Sequence, residues 1–435
     1  MKKETKVSTL AISERYSARF GREQSALVAL MFAYSVMSYF DRTIMSIAGP
    51  EIMKEFGVAP ERMGWVYSSA ILSYALFMVP GGDLADRLGP RKTLLLMGLS
   101  AALFTALTPF GGHPALAFLG VVPVLIAIRF AFGAVSSPIY TACARMCAAW
   151  IPTHYLARVQ AFIIAGACMG GAVSPIFFKW LISLFRWRNS FYLAGAATAL
   201  LALLWFLYVR RLPRDAERVT GLLAQPRSWR RLLLNRNLAL LTFAYFTLGY
   251  FEYIFFYWIY YYFGEVRHTG FTQSARYTTV IFLVMLVMMP MGGWVSDILT
   301  RLYGHKFGRR VVPIVGLSAG AVLLYAGVNA PTTDASAVLF AVAIGFVSTC
   351  EGPFWSTTID IGGSQVGAAG GILNAGGNIG GFFSPVLVPL VAKYAGWSWG
   401  LYTGSILVIL GAIACLFIDA SKEVPRAPAS NPAIT

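Results

Sequence analysis

The sequence predicts an all-α integral membrane protein with twelve transmembrane helices, arranged as two pseudo-symmetric six-helix bundles. Of its 435 residues, 57% are hydrophobic and only 12% are charged, whereas a soluble domain carries about 25% charged residues. Apolar runs of about 18 residues or more recur along the whole chain, and each is long enough to cross a hydrocarbon core of about 30 Å. The two halves of the chain also repeat one another.

The predicted spans follow one another through short polar loops and one longer loop. The first span begins at Ser25 behind a basic tail without a small-residue cleavage site, which favours a retained helix over a signal peptide. The twelve spans cover 25–47, 63–82, 93–111, 121–149, 156–179, 189–209, 238–262, 277–299, 311–329, 336–357, 366–391 and 397–418. The predicted organisation is a tail (1–24), an N-terminal bundle (25–209), a linker (210–237), a C-terminal bundle (238–418) and a second tail (419–435).

The basic residues predict the orientation of the chain. If the N-terminus is cytoplasmic, most of the 35 Lys and Arg residues lie in the tails and in the loops on that same side. Cytoplasmic loops of membrane proteins carry such an excess of Lys and Arg, so both termini are expected in the cytoplasm. The membrane that the protein spans is expected to be the inner membrane of the cell. The net charge of +16 therefore indicates topology, and nucleic acid is not an expected partner.

Cysteine and metal-binding motifs give no indication of redox or metal chemistry. The five cysteines all fall within predicted spans, where a thiol behaves as a small hydrophobic group: Cys143, Cys147, Cys168, Cys350 and Cys415. The sequence has no CxxC cluster, no HExxH motif and no GxGxxG between a strand and a helix. We therefore expect no metal, no cofactor and no enzyme activity.

Internal similarity indicates a duplication. GGDLADRLGPRK (81–92) recurs more loosely as GGWVSDILTRLYGHKFGRR (292–310), and GGAVSPIFFKW (170–180) matches GGFFSPVLVPL (380–390). The segment beginning RWRNSFYLAG at 186 has a counterpart beginning GWSWGLYTG at 396. Each pair is separated by about 210 positions, so the two six-helix halves are related. Two parallel halves around a site near the bilayer midplane are typical of one class of transporters.

GGDLADRLGPRK resembles the signature loop between helices 2 and 3 of the major facilitator superfamily. SYFDRTIMSIAGPEI (38–52), the span that contains Arg129, EGPFW (351–355) and GGNIGGFFSP (376–385) resemble the anion:cation symporter family more narrowly. That family includes bacterial galactonate, hexuronate and glucarate permeases. The resemblance implies a fold of two bundles that rock about a central cavity, a small organic anion as substrate, and a monomer.

The signature loop is expected to act in gating. Its residues are Gly82, Asp86, Arg87, Gly89 and Arg91. In the superfamily, the position matching Asp86 pairs with basic groups and with the end of helix 11, which holds the cytoplasmic side shut. The alternative is that these are ordinary charges of a cytoplasmic loop.

Three charged residues inside spans predict the substrate site. Asp41 and Arg42 lie in span 1 and Arg129 lies in span 4, although a charge at bilayer depth costs at least about 2.5–3.5 kcal/mol on insertion scales. Arginine is permanently charged and binds carboxylates through two parallel hydrogen bonds. We expect Arg42 and Arg129 to bind an anion. The alternative is that each arginine pairs with a structural carboxylate, which for Arg42 would be Asp41.

Carboxylates within spans are the candidates for proton coupling, because no histidine lies inside a span. In the symporter family, the position matching Asp41 is associated with protons. Bacterial members often carry a second glutamate in helix 4, where this chain has Ser136. Alignment of the repeats places Glu351 opposite Ser136, and Glu351 is therefore a second candidate. Glu252 is a third, and a structural role is the alternative for both glutamates.

Further polar and aromatic residues in spans are expected to line the cavity: Tyr39, Tyr74, Trp355, Ser356, Asn374 and Asn378. Tyr74, Trp355 and Asn378 match positions that touch substrate in sugar-acid permeases. The predicted function is proton-coupled import of a sugar acid or related carboxylate by alternating access, with the anion, protons and the lipid bilayer as partners. The alternatives are an exporter or exchanger of an anion or drug, and a membrane sensor that does not transport.

Overall fold

The computed structural model describes residues 21–151, 155–212, 232–362 and 366–421, and its regular structure in these ranges is entirely helical. The α-helices are α1 Arg22–Phe56, α2 Pro60–Leu88, α3 Pro90–Leu107, α4 Val121–Ser136, α5 Ile139–Trp150, α6 Leu156–Val209, α7 Arg236–Tyr257, α8 Phe271–Tyr303, α9 His305–Val328, α10 Thr333–Ser348, α11 Glu351–Gly362, α12 Val366–Ala395 and α13 Trp397–Leu416. Short 3₁₀ segments, Thr108–Gly112 and Pro114–Leu119, follow α3, and a helical turn Ile259–Tyr261 with a π-helical segment Tyr262–Val266 follows α7.

The described helices account for the predicted spans. Ten segments are long and apolar enough to cross a membrane, and the longest, Arg158–Val209, contains two predicted spans. The two are separated at Arg186, whose backbone is not helical (φ 60°, ψ 162°). Helix α1 has 35 residues and adds a span that is not among the ten because it carries the charged pair. The twelve-helix prediction agrees with this arrangement.

Helix boundaries follow local chemistry. Helices α2 and α3 both begin with proline at the first position, where the missing N–H has no intrahelical partner to lose. Gly57 ends α1 in a left-handed conformation (φ 61°, ψ 31°), as is common after a helix C-terminus. Thr332 caps α10 because its side chain accepts a hydrogen bond from the Ala335 N–H.

Backbone conformation supports the duplication inferred from the sequence. Arg186 and Gly396 occupy matching places in the repeat, and both have positive φ (60° and 91°) with ψ near 160°. Gly89 and Gly304, which precede α3 and α9, also share positive φ (78° and 82°). The same sharp entry into a helix therefore occurs in both halves.

The chain divides into two compact units. The first contains 1–224 and 256–283, and the second contains 225–255 and 284–435. Within the first unit, α1 and α3 pack against α6, and α2 packs against α4. Within the second unit, α9 packs against α10 and α13. The bundle limits drawn from the sequence, 25–209 and 238–418, remain a prediction.

The interior of the first unit contains aromatic and sulfur side chains, and its surface is apolar. Tyr34 of α1 meets Trp205 of α6 edge to face, with ring centroids 5.7 Å apart. Leu200, Leu203 and Leu207 are exposed on one face of α6, as expected for a stripe that contacts lipid tails. The five cysteines are buried.

Candidate functional site

Arg42 lies on α1 between two aromatic rings. Its guanidinium carbon is 4.8 Å from the ring centroid of Tyr39 and 4.4 Å from that of Tyr74 in α2, and only 6% of the residue is exposed. An arginine over the face of a tyrosine is attracted by the ring quadrupole. Three residues predicted to bind substrate are thus brought together.

Arg129 reaches α1 from α4. Its Nη1 donates to the Asp41 carbonyl oxygen (3.2 Å) and its Nη2 to the Arg42 carbonyl oxygen (3.1 Å), and its guanidinium carbon lies 4.4 Å from the centroid of the Phe132 ring. The residue is 1% exposed. The two buried arginines therefore converge on one turn of α1, and Arg129 binds main-chain oxygens there.

The Asp41 side chain is enclosed in the packed interior of the first unit. It is 0% exposed, and its Oδ2 accepts a hydrogen bond of 2.8 Å from the Thr198 hydroxyl in the second part of α6. Its other oxygen, Oδ1, has no hydrogen-bond partner within the described ranges. Nothing in the sequence pattern distinguished Thr198, since a threonine in an apolar span is common.

A glycine permits the close packing that supports this site. A Cβ atom on Gly133 of α4 would lie 2.0 Å from the Ala70 carbonyl oxygen of α2. Any larger residue would push α4, which carries Arg129, away from α2, which carries Tyr74. The predicted site in the first unit thus depends on a small residue one turn after Arg129.

A second buried cluster lies in the second unit. The Tyr245 hydroxyl of α7 donates to Glu351 Oε1 (2.8 Å) at the start of α11, and the Ser348 hydroxyl donates to Glu252 Oε1 (3.4 Å). Tyr245 and Glu252 are seven residues apart and so share one face of α7. Both candidate glutamates are therefore held between α7 and the junction of α10 with α11. Tyr245 was not among the predicted site residues, although its spacing from Glu252 could have suggested it.

The other predicted residues of the second half lie near this cluster or on α12. Trp355 is 39% exposed, and its ring centroid is 6.4 Å from that of Tyr245. Ser356 is half-buried beside it on α11. On α12, the Asn378 side-chain amide donates to the Asn374 carbonyl oxygen (2.9 Å) and to its Oδ1 (3.1 Å). The asparagine pair therefore faces one direction, as the four-residue spacing predicts.

The signature loop has mainly local contacts in the first unit. Arg91 Nη1 donates to the carbonyl oxygens of Val209 and Leu212, both at 2.9 Å, at the negative end of α6. Arg87 pairs with Asp83 one turn earlier (2.8 Å) on the surface. Gly89 supplies the positive φ that starts α3, and Gly82 is half-buried. The Asp86 side chain lies outside the described part of the chain, so its pairing with helix 11 stays a prediction.

The second copy of this loop contains an ion-pair network. Arg309 of α9 contacts Asp297 Oδ1 (2.7 Å) and Asp360 Oδ2 (3.1 Å), and His305 Nδ1 lies 3.1 Å from the same Asp360 oxygen. Asp297 occupies the repeat position of Asp86. Alignment of the two copies could have identified this aspartate, which the sequence prediction did not include.

The chain is similar to named transporters along most of its length. The chain is 28% identical over 412 residues to a protein named "Probable sulfoacetate transporter SauU" from Cupriavidus necator, across 90% of this chain and 93% of that relative. It is 27% identical to the "Hexuronate transporter" of Bacillus subtilis (94% and 95% covered) and 26% identical to the "D-galactonate transporter" of Escherichia coli O6:H1 (92% and 97% covered). The resemblance to sugar-acid permeases is confirmed.

Solved structures show the same fold. A bacterial homologue of the human lysosomal transporter Spinster, inward-facing and unoccupied, superposes with a TM-score of 0.75 at 15% identity, across 93% of this chain and 98% of that one. A D-xylose–proton symporter gives a TM-score of 0.70 at 16% identity, with 90% and 97% covered. The family model described as Major Facilitator Superfamily matches residues 30–363. The chain belongs to the Major Facilitator Superfamily.

Proposed function

We propose that this protein imports a small organic anion, a sugar acid or a related acid, together with protons, by alternating access in the inner membrane. The observation that carries the proposal is the convergence of two buried arginines on one turn of α1. Two positive charges brought this close together in a buried site attract an anion, and guanidinium groups bind carboxylates and related anions in a two-pronged geometry. The printed names of the relatives, which specify sulfoacetate, hexuronate and galactonate, agree with such a substrate.

In this proposal Arg42 contacts the anionic group of the substrate, with the rings of Tyr39 and Tyr74 beside it. Arg129 contributes the second positive charge. Asp41 carries a proton, and Glu351 carries another in the second unit, with Glu252 as a further candidate. The rest of the substrate is contacted from the second half by Trp355, Ser356, Asn374 and Asn378.

In this proposal the transport of the anion is coupled to that of the proton through the charges of the site. A ligand shifts the equilibrium between inward-open and outward-open states only by its difference in affinity for the two. If the substrate anion neutralises the arginines and a proton neutralises Asp41, the loaded site is less polar than the empty one. A protein that has bound both the substrate anion and the proton therefore changes between the inward-open and outward-open states more readily than a protein that has bound only the anion or only the proton.

Uptake into proteoliposomes tests the proposal. The panel is labelled galactonate, glucarate, glucuronate, tartrate, sulfoacetate, an aromatic acid and glutamate, with and without an inward proton gradient. We expect accumulation of one acid, lost with a protonophore, and at least about tenfold slower for Arg42→Ala because a hydrogen bond to a charged group contributes about 1.5–3 kcal/mol. The exposed Arg301 provides the matched control, Arg301→Ala, which is expected to transport normally.

Two results would redirect the proposal. Accumulation that persists in Asp41→Asn, or exchange that ignores the gradient, would make the protein an exchanger or facilitator. Binding of an acid without flux would instead indicate a sensor.

A further inference from the structure

Thr198 is the hydrogen-bonded neighbour of Asp41, which is the most deeply buried carboxylate among the described residues of the first unit. Its hydroxyl lies 2.8 Å from Asp41 Oδ2 and 3.1 Å from the carbonyl oxygen of Ala194, one turn earlier on α6. Both residues are almost fully buried. A hydroxyl has a single hydrogen, so it can donate to only one of these two oxygens at a time.

The alternative acceptor gives the pair two complete arrangements. When Asp41 is ionised, the Thr198 hydroxyl donates to its carboxylate. When Asp41 is protonated, the hydroxyl hydrogen can turn to the Ala194 carbonyl oxygen, and a Thr198 lone pair can accept from the new carboxylic O–H. No buried polar atom of this pair then loses its hydrogen bond, and leaving one unsatisfied would be costly.

The surroundings of Asp41 contain few other groups that could take this role. From α4 it faces the charge of Arg129, and from α3 it faces the hydroxyl of Thr105. The Arg129 Nη donors bind backbone oxygens, and the Thr105 hydroxyl has no hydrogen-bond partner in the described part of the chain. On α1 itself, Arg42 points to Tyr39 and Tyr74. The Thr198 hydroxyl, 2.8 Å from Asp41 Oδ2, is therefore the donor that the distances establish for this carboxylate, and the Thr105 hydroxyl is a second hydroxyl near it.

We infer that Thr198 is a positioning residue for the proton of Asp41, whose hydroxyl switches between the Asp41 carboxylate and the Ala194 carbonyl as that proton arrives and leaves. The inference rests on the proposed function in one respect, namely that Asp41 is the residue that carries the proton. It adds a residue of α6 to the coupling machinery, which sequence reasoning placed on α1 and in the second half.

The test is a titration of full-length protein in liposomes, followed by the infrared carbonyl band of a protonated carboxyl group. The Asp41 band is the one that Asp41→Asn removes. Thr198→Val keeps the shape but removes the hydroxyl, so both forms of Asp41 lose a hydrogen bond. Because the bond to the ionised form is the stronger one, the band should persist to higher pH by about one unit. Thr198→Ser keeps the hydroxyl and should restore the wild-type midpoint.

Thr278→Val is the matched control. Thr278 is also buried in a helix, and its hydroxyl donates to the Ser274 carbonyl oxygen (2.8 Å) on the same helix. It should leave the Asp41 midpoint unchanged. Three results would each overturn the inference. The Thr198→Val midpoint could equal that of wild type, or the Thr198→Ser midpoint could stay shifted. The third result is that no titrating band can be assigned to Asp41.

Transport of the labelled acids separates this inference from the proposed function. If Thr198→Val shifts the infrared midpoint, the pH dependence of galactonate, glucarate or sulfoacetate uptake should shift in the same direction. If Asp41→Asn still accumulates an acid with the gradient, the proposed function fails while the infrared result for Thr198 stands. If Asp41→Asn abolishes accumulation and Thr198→Val leaves both pH profiles unchanged, only the inference fails.

Discussion

Arg129 is a buried cation whose donors bind backbone oxygens. A buried charge must have hydrogen-bond partners to offset its desolvation, and the carbonyl groups of Asp41 and Arg42 supply two of them. The planar guanidinium can reach both oxygens in parallel. This contact fixes the register of α4 against the turn of α1 that carries both charged side chains.

Arg129→Lys should therefore destabilise the protein although the charge is kept. The compact ammonium cannot donate to both carbonyl oxygens in the same geometry, and we expect a loss of about 1–3 kcal/mol. Thermal unfolding in detergent measures it. Arg301→Lys, at an exposed site on α8, is the control and should change stability by less than about 0.5 kcal/mol. Equal unfolding temperatures for both variants would contradict this account.

Glu55 gives a pH-dependent contribution outside the membrane-spanning segments. The hydrogen bonds donated by Arg188 (2.6 and 3.0 Å) are the main reason that the pKa of Glu55 is lowered, and the Trp187 indole N–H (2.8 Å) adds to the effect. A lowered folded-state pKa stabilises the protein above the ordinary glutamate pKa of about 4.3. The contribution is lost as the pH falls through the lower, folded-state pKa.

Glu55→Gln should therefore cost up to about 1 kcal/mol at pH 7, because the pair is partly exposed to solvent. The difference from wild type should shrink as the pH falls below about 4. Unfolding temperatures of both proteins between pH 3 and pH 7 measure this, with other carboxylates cancelling in the comparison. A difference that stays constant with pH would contradict the pKa argument.

At the scale of the helix, Arg186 divides α6 into two crossings. Its φ of 60° with ψ of 162° lies in a region that is essentially restricted to glycine and costs about 1–3 kcal/mol for other residues. Gly396 performs the same turn in the repeat without that cost. The two halves thus share this backbone conformation. The second half has glycine at the position, which favours the conformation, whereas the first half has arginine.

Arg186→Gly should raise the free energy of unfolding by about 0.5–2 kcal/mol, which is the relieved strain less the greater chain entropy of an unfolded glycine. The reciprocal change, Gly396→Ala, should lower it by about 1–3 kcal/mol. Thermal unfolding in detergent compares both with wild type. Destabilisation by Arg186→Gly would show that contacts of the arginine side chain outweigh the backbone strain.

At the scale of the whole molecule, the apolar surface and the distribution of basic residues predict how the chain lies in the membrane. The exposed leucines of α6 suit lipid tails, and the basic residues are concentrated in the loops that the sequence predicts to lie on the cytoplasmic side. This sidedness can be measured without altering the native thiols, since all five cysteines are buried.

Single introduced cysteines test the predicted orientation. Ala115, between α3 and α4, and Lys306, at the start of α9, are both exposed. A membrane-impermeant maleimide added to intact cells should label Ala115→Cys but not Lys306→Cys, and both should react after permeabilisation. Wild type should stay unlabelled. The reverse pattern would place both termini outside the cell and contradict the positive-inside argument.

Several features were predictable because they depend on nearby residues in the chain. Hydropathy predicted the spans, and the position of Asp41 and Arg42 within α1 followed from it. The repeat matched the segments that begin at Arg186 and Gly396, and the structure adds that both residues have positive φ. By contrast, the roles of Thr198 and Tyr245 could not be predicted with any strength from the sequence. A hydroxyl group in an apolar helix can be assigned a function only when the carboxylate that it contacts is known.

Hydropathy along the chain predicts a polytopic helical protein with twelve crossings, and the placement of charged residues predicts its orientation and the charges within the spans. Hydrophobicity, charge and periodicity are properties of short segments, so they can be read along the chain. The partners of those charges depend on the tertiary structure. Arg129 meets α1 across 88 residues of sequence and Thr198 meets Asp41 across 157. A hydrogen bond requires two atoms within about 3 Å, and folding alone brings such distant residues that close.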